Sequence, residues 1–305
     1  MNRTGKAPEI PPRLEEVSCV VHGDDIVMES PVWCPLTLRL ISVGIQHKLV
    51  HILSPSSGTY QTYQLPELVT SVSTRAAGGL VLTLHKNFAF FDPQTQRLER
   101  LLDPEPDRAN NRFNDGKCDR QGRLWAGTMG EKDWLADSGA LYRLDPDLTV
   151  TRMWDHVICS NGTGWSPDAR TMYYTESFRY AIFAYDFETE AGTLSNRRLF
   201  AALDPQASGF PDGLTVDADG HVWSAQPGYG RVVRYDPNGG IERIVELPVS
   251  RPTSCIFGGD DYETLYITTA RETLSAEELA EEPLAGSLLA IRPGVRGVPE
   301  TPFAG

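Results

Sequence analysis

The 305-residue chain contains no stretch of about 18 consecutive apolar residues, the length a helix needs to cross a bilayer, so no membrane partner is expected. Met1 to Pro12 carries Arg3 and Lys6 with no apolar segment behind them, and no secretory leader is expected. Positive charge is scarce: 28 Lys and Arg against 41 Asp and Glu give a net charge of −13. A surface this acidic repels phosphate backbones, which argues against nucleic acid, and it is compatible with a bound cation. The five cysteines, Cys19, Cys34, Cys118, Cys159 and Cys255, form no CxxC pair and have no zinc-ribbon spacing. Each is read as a small buried side chain in a reducing, cytoplasmic compartment. Helical periodicity is nearly missing. Only LSAEELAEEPL at 274–284 fits a helix, read as a surface insertion.

Short β-rich runs dominate instead. GLVLTL at 79–84, FAFFD at 88–92, RLWAGTM at 123–129, GALYRLD at 139–145, TMYYTES at 171–177, AIFAYDFE at 181–188, HVWSAQ at 221–226, GRVVRYD at 230–236 and TLYITTA at 264–270 are each bounded by turn formers. An acidic turn ends such a run at Asp92, Asp145, Asp186 and Asp236, with spacings of 53, 41 and 50 residues. A second element, Asp-x-x-Gly-x-apolar-Trp, interleaves with it at 119–125 and 217–223, and in SPDARTMYY at 166–174 Arg170 is read at the Gly place. Repeats of about 40–50 residues built from short strands signal a β-propeller, and about 290 residues at that period give about six blades. The expected fold is all-β, a single six-bladed propeller domain over 15–305 preceded by a mobile tail at 1–14.

In a propeller the innermost strands line an axial channel. Four stretches place polar residues beside apolar runs at about one per blade: Glu29 in MESPVW, NNRFNDGKCD at 110–119, CSNGTGW at 159–165 and GFPDGL at 209–214. Each also has an ordinary reading. Asn114-Asp115-Gly116, Asn161-Gly162 and Asp212-Gly213 suit tight turns, and Arg112 suits a surface charge.

Taken in order, NNRFNDGKCD, GRLWAGTM, SNGTGWSPD, SNRRLF, FPDGLTVDADGHVW, GRVVRYDP and PTSCIFGG resemble the senescence-marker-protein, gluconolactonase and luciferin-regenerating-enzyme family, in its regucalcin-like branch. The resemblance implies a six-bladed propeller with one divalent cation on its axis. It places the metal ligands on Glu29, Asn161 and Asp212 and the substrate contacts on Arg112 and Asn114. The loop that carries the family's acidic substrate contact is shorter here, Gly130-Glu131-Lys132-Asp133, which leaves open whether Glu131 or Asp133 replaces that contact. The chain departs from the family pattern at Met28, Thr163 and Glu176. Two carboxylates and an amide oxygen are hard donors that suit calcium first, with magnesium, manganese, zinc or iron(II) as alternatives. Two negative charges balance one dication, and three protein ligands leave positions open for water and substrate.

The expected activity is metal-dependent hydrolysis of a small-molecule cyclic ester, most simply a sugar lactone, by a monomer or weak oligomer. Asp212 is the expected general base, with Arg112 and Asn114 on the sugar hydroxyls or the oxyanion. Two alternatives stand beside it. One is the same scaffold hydrolysing another electrophile or serving secondary metabolism. The other is a non-enzymatic calcium-binding regulator.

Overall fold

The computed structural model describes residues 16–305. The tail expected at 1–14 lies outside them. The chain forms six four-stranded antiparallel sheets arranged as a propeller. Their innermost strands are Met28–Cys34, Val69–Thr74, Asn111–Cys118, Ser160–Trp165, Leu214–Val216 and Pro252–Gly258, and blades one to six are numbered in that order. Blades one to five each follow the chain outward from the axis. Blade six takes its fourth strand from the other end of the sequence: Ser18–Val21 pairs with Leu288–Ile291 and closes the ring.

Packing explains the strand alternation. The buried apolar residues fall into six clusters, one at each joint between neighbouring blades. Val43 and Val50 of blade one meet Val72 and Leu82 of blade two, and Met28 and Trp33 meet Ile256 and Tyr266 of blade six. Outermost strands such as Thr59–Gln64 and Arg97–Arg100 face water on most positions. Phe303, fully buried, joins the cluster between blades two and three, its N–H donating to Thr74 O at 2.8 Å.

The repeated turns have a common physical cause. Asp119 is fully buried and accepts from the backbone N–H of Gln121 and Arg123 and from Trp125 Nε1 at 2.8 Å. Asp217 does the same with Asp219, His221 and Trp223 Nε1 at 2.9 Å. Gly122 and Gly220 stand at φ +75° and +84°, where a Cβ is strained. In the third copy Ala169, not Arg170, takes the glycine place, at φ +56°, its N–H donating to Ser166 O as those glycines donate to Asp119 and Asp217. These turns join the first and second strands of a blade, and those at Asp92, Asp145 and Asp236 join the third and fourth. Asp186 breaks the pattern. It lies within the strand Ala181–Glu188, and the turn begins at Glu188, whose oxygen accepts from Gly192 N. All of these turns lie on one face of the disc, leaving the other face for the loops that follow second strands and precede first strands.

The predicted helix exists as Ala276–Glu281, capped by a Ser275–Glu278 box and with no buried residue. It belongs to the loop after the second strand of blade six, on the face opposite the repeated turns. Of the cysteines, Cys34, Cys118, Cys159 and Cys255 are buried as expected, and Cys19 is exposed, because its outermost strand has no neighbour beyond it. No helix among the described residues is long and apolar enough to cross a membrane.

Candidate functional site

The three Asn/Asp-containing segments that suit turns are not tight turns here. Asn114-Asp115-Gly116 and Asn161-Gly162 lie inside the innermost strands Asn111–Cys118 and Ser160–Trp165, at register shifts between Phe113 and Gly116 and between Ser160 and Thr163. Glu29 lies at a matching shift between Glu29 and Val32. A bulge inserts an extra residue and re-aims the side chains around it, so strands whose alternation would face neighbouring blades can turn polar groups to the axis. Ser30, beside Glu29, is held at φ +50°, a conformation disfavoured for non-glycine residues. Glu29 Oε2 accepts from Ser30 N at 2.6 Å, and Asp115 Oδ1 accepts from Gly116 N at 2.7 Å, so both acids fold back on the residue that follows.

Contacts between first strands run right round the ring. Ser30 Oγ accepts from Val72 N at 3.0 Å, and Gly116 packs on Ser71. Asn114 Nδ2 donates to Ser160 O at 2.8 Å. A Cβ on Gly162 would stand 2.5 Å from Asp212 O, so only glycine lets Asn161 and Asp212 sit side by side. Gly213 N donates to Thr253 O at 2.8 Å, and Thr253 Oγ1 donates to Met28 O at 2.6 Å. Across the channel Lys117 Nζ donates to Leu214 O at 2.9 Å.

This ring brings Glu29, Asn161 and Asp212 together from blades one, four and five. All three are buried, at 6%, 5% and 7% exposure. Burial raises the Glu29 carboxyl well above its ordinary range, and the charges of Asp212 and Asp115 add to it, while Ser30 N–H and Lys117 oppose. Burial and then Asp115 raise Asp212 in the same way, and the Asn161 amide beside it pulls it down. Asp115 is raised by burial and lowered by Lys117. Asn161 Nδ2 donates to Ser177 Oγ at 2.9 Å, which fixes the amide. Asn161 Oδ1 and Asp212 Oδ1 are buried acceptors without a hydrogen-bond partner among the described residues. Unsatisfied buried oxygens beside mutually repelling carboxyls fit a cation, which would satisfy both conditions at once. No three His, Cys, Asp or Glu side chains among the described residues form a metal-sized group; Glu29, Asn161 and Asp212 offer instead a mixed set of two carboxylates and an amide.

Arg112 lies on the same channel from blade three. Burial draws its pKa down, and Cys159, Glu272, Glu131 and Glu29 support its charge. Its Nη1 donates to Phe113 O and to Asn114 Oδ1, both at 2.8 Å. Nε and Nη2 make no hydrogen bond among the described residues. Asn114 holds the guanidinium in place and keeps one amide N–H aimed only at Cys159 Sγ, 4.0 Å away. Glu131 receives His85 Nε2 at 3.0 Å and faces the Arg112 charge. Asp133 is exposed and caps its own turn at Leu135 N, so the two candidates for the acidic contact separate. Of the departures from the family pattern, Met28 is core, Thr163 is buried beside Asn161, and Glu176 is buried and bonded to Arg179.

Sequence reasoning missed three groups of the site. Lys117 and Asp115 follow Arg112 and Asn114 on one strand, and a polar side chain at nearly every second position was the available signal. Glu272 arrives from the loop after the second strand of blade six, with Gln46 Nε2 donating to it at 3.1 Å, and nothing local marks it. A cleft of about 780 Å³ is lined by Asp107–Asn111, Lys132, Asp133 and Asp155 at the rim of blade three, and none of the proposed metal ligands lines it.

Fold and site together define a six-bladed propeller with an acid-lined axial channel. A family model described as the SMP-30/Gluconolactonase/LRE-like region matches residues 27–271. Regucalcin of Gallus gallus is 39% identical over 296 residues, covering 95% of this chain and 99% of that protein. The chain belongs to the SMP-30/gluconolactonase/LRE-like family. A luciferin-regenerating enzyme has the same fold at TM-score 0.90 and 27% identity, covering 95% of this chain and 100% of that one. The calcium-binding protein regucalcin of Agrobacterium tumefaciens aligns at TM-score 0.91 and 25% identity, covering 96% and 99%.

Proposed function

We propose that the protein is a metal-dependent hydrolase of a cyclic ester, most simply a sugar lactone, with Glu29, Asn161 and Asp212 holding one divalent cation, calcium by preference. The observation that carries this reading is the pair of partnerless buried oxygens, Asn161 Oδ1 and Asp212 Oδ1, beside the strained Glu29–Ser30 bulge. A divalent cation at these donors supplies Lewis acidity toward the ester carbonyl. Arg112 directs Nε and Nη2 at the oxygen that gains charge as the carbonyl is attacked. Asn114 orients Arg112 and offers substrate its remaining N–H. Asp212 takes the proton from the attacking water. Glu131 faces Arg112 and is placed to accept a substrate hydroxyl.

A calcium-binding regulator would need the donors but not Arg112 with free N–H groups beside them. The test is a panel of lactones run against a panel of cations on chelator-treated protein. Turnover restored by one or more cations supports the reading. Tight calcium binding with no turnover on any lactone favours the regulator.

A further inference from the structure

Three aromatic rings from three consecutive blades form an arc on the site's face of the disc. Trp134 comes from the loop after the second strand of blade three, Phe178 from the 3-10 turn Ser177–Arg179 of blade four, and Phe210 from the segment entering blade five. Trp134 and Phe178 are near parallel, 10° apart with centroids 6.5 Å apart. Phe178 meets Phe210 edge-on, at 67° and 5.4 Å. Trp134 is 41% exposed and is the one aromatic among the exposed large hydrophobics of the described residues, and its neighbour Leu135 is 69% exposed. Apolar side chains grouped at the mouth of a polar channel mark a contact surface.

Each ring is tied to a group of the candidate site. Trp134 Nε1 donates to Glu131 O at 3.1 Å. Phe178 follows Ser177, which receives Asn161 Nδ2. Phe210 stands two residues before Asp212 and donates its N–H to Pro227 O at 3.2 Å. The arc spans blades three to five, the same blades that carry Arg112, Asn161 and Asp212. A molecule whose reacting carbonyl sat among those three would have the arc on the same face of the disc. Glu131 and Glu272, both close enough to support the Arg112 charge, set an acidic field at the mouth that disfavours an anionic substituent.

We infer that the arc is a substrate subsite for a flat, uncharged apolar group, so that the chain's preferred substrate is a lactone bearing an aryl substituent rather than a bare polyhydroxylated ring. This rests on the hydrolase reading above. A flat aryl ring can lay its whole apolar surface on aromatic faces and edges, whereas a sugar ring can offer them only its C–H face and needs hydrogen-bond partners for its hydroxyls, and the arc's one polar atom, Trp134 Nε1, is already used by Glu131 O.

The test compares 6-phenyl-δ-valerolactone with glucono-δ-lactone on the full chain in calcium. The parent is expected to favour the phenyl lactone in kcat/KM. Trp134→Ala and Phe178→Ala should each lower that value about tenfold, mainly through KM, and leave the sugar lactone within about threefold. Phe178→Leu, which keeps the packing against Phe210, checks the fold and should fall between the two. Calorimetric binding of 6-phenylpiperidin-2-one, a lactam that is not turned over, separates the two readings. Weaker lactam binding in Trp134→Ala supports the subsite even if neither lactone is hydrolysed, an outcome that overturns only the hydrolase. Hydrolysis of the sugar lactone with no phenyl preference and no effect of either alanine overturns the subsite and leaves the hydrolase standing.

Discussion

Chelator-treated protein is expected to lose stability as pH rises, and removing one axial charge should reverse that loss. In the unfolded chain Glu29 and Asp212 titrate near about pH 4. Folded, both are raised, by burial first and then by neighbouring carboxylates. Between the unfolded and folded values the native state binds more protons than the unfolded one, so the free energy of unfolding falls with rising pH. The stabilisation is complete below about pH 4 and gone above the folded values. Glu29→Gln removes one charge at nearly constant shape and keeps an acceptor for Ser30 N. Two unit charges about 5 Å apart at an effective dielectric near 20 repel by about 3 kcal/mol. The Lys117 ammonium already offsets part of this. A gain of about 1–2 kcal/mol at pH 8 in chelator is expected, or about 2–4 °C in Tm for a chain of this size. Calcium should invert the order. The parent gains about 2.7 kcal/mol when calcium stands at 100 times its Kd, and the variant gains little. Scanning calorimetry of both proteins at pH 5 and pH 8, in chelator and in calcium, reads all of these. A variant less stable than the parent in chelator at pH 8, or equally stabilised by calcium, would refute the reasoning.

Other outcomes follow from single contacts. Arg112→Ala should keep the bound cation and lose about ten- to a hundredfold in kcat/KM, the scale of one charged hydrogen bond, measured on the lactone that the panel identifies. Asp212→Asn should retain weakened cation binding yet lose nearly all hydrolysis at matched occupancy, since an amide cannot accept a proton; a rate within a few-fold of the parent would leave Asp212 a ligand only. Gly162→Ala should fold but bind the cation less well, because its Cβ meets Asp212 O at 2.5 Å, and titration calorimetry reports the shift. Asp119→Ala should lower stability by about 2–4 kcal/mol, since it leaves the Trp125 indole and the Arg123 guanidinium without their buried partner, and a denaturant midpoint equal to the parent's would contradict that role.

The second and third strands of blades two to five, and the second of blade six, were legible because they are short β-rich runs bounded by turn formers: Phe88–Asp92 and Ala181–Glu188 match their sequence runs to the residue. The outermost strands were not, because Thr59–Gln64 and Arg97–Arg100 face water on most positions and carry little apolar signal. The innermost strands were hidden by the site itself. Bulges at Glu29, Asn114-Asp115 and Asn161-Gly162 break the two-residue period, and their Asn, Asp and Gly mimic turns. The resemblance supplied Arg112, Asn114 and the three proposed ligands. Glu272, and the arc of Trp134, Phe178 and Phe210, meet the site only through the closure of the ring, which no local pattern encodes.

The most direct measurement counts the cation bound per chain in the parent, Glu29→Gln, Asn161→Ala and Asp212→Asn, and assays lactone hydrolysis on the same samples. One cation per parent chain is expected, with reduced occupancy in every variant and hydrolysis falling with it or, for Asp212→Asn, below it. Full occupancy in all three variants, or hydrolysis by the parent that survives complete removal of the metal, would contradict a cation held by Glu29, Asn161 and Asp212 as the centre of the activity.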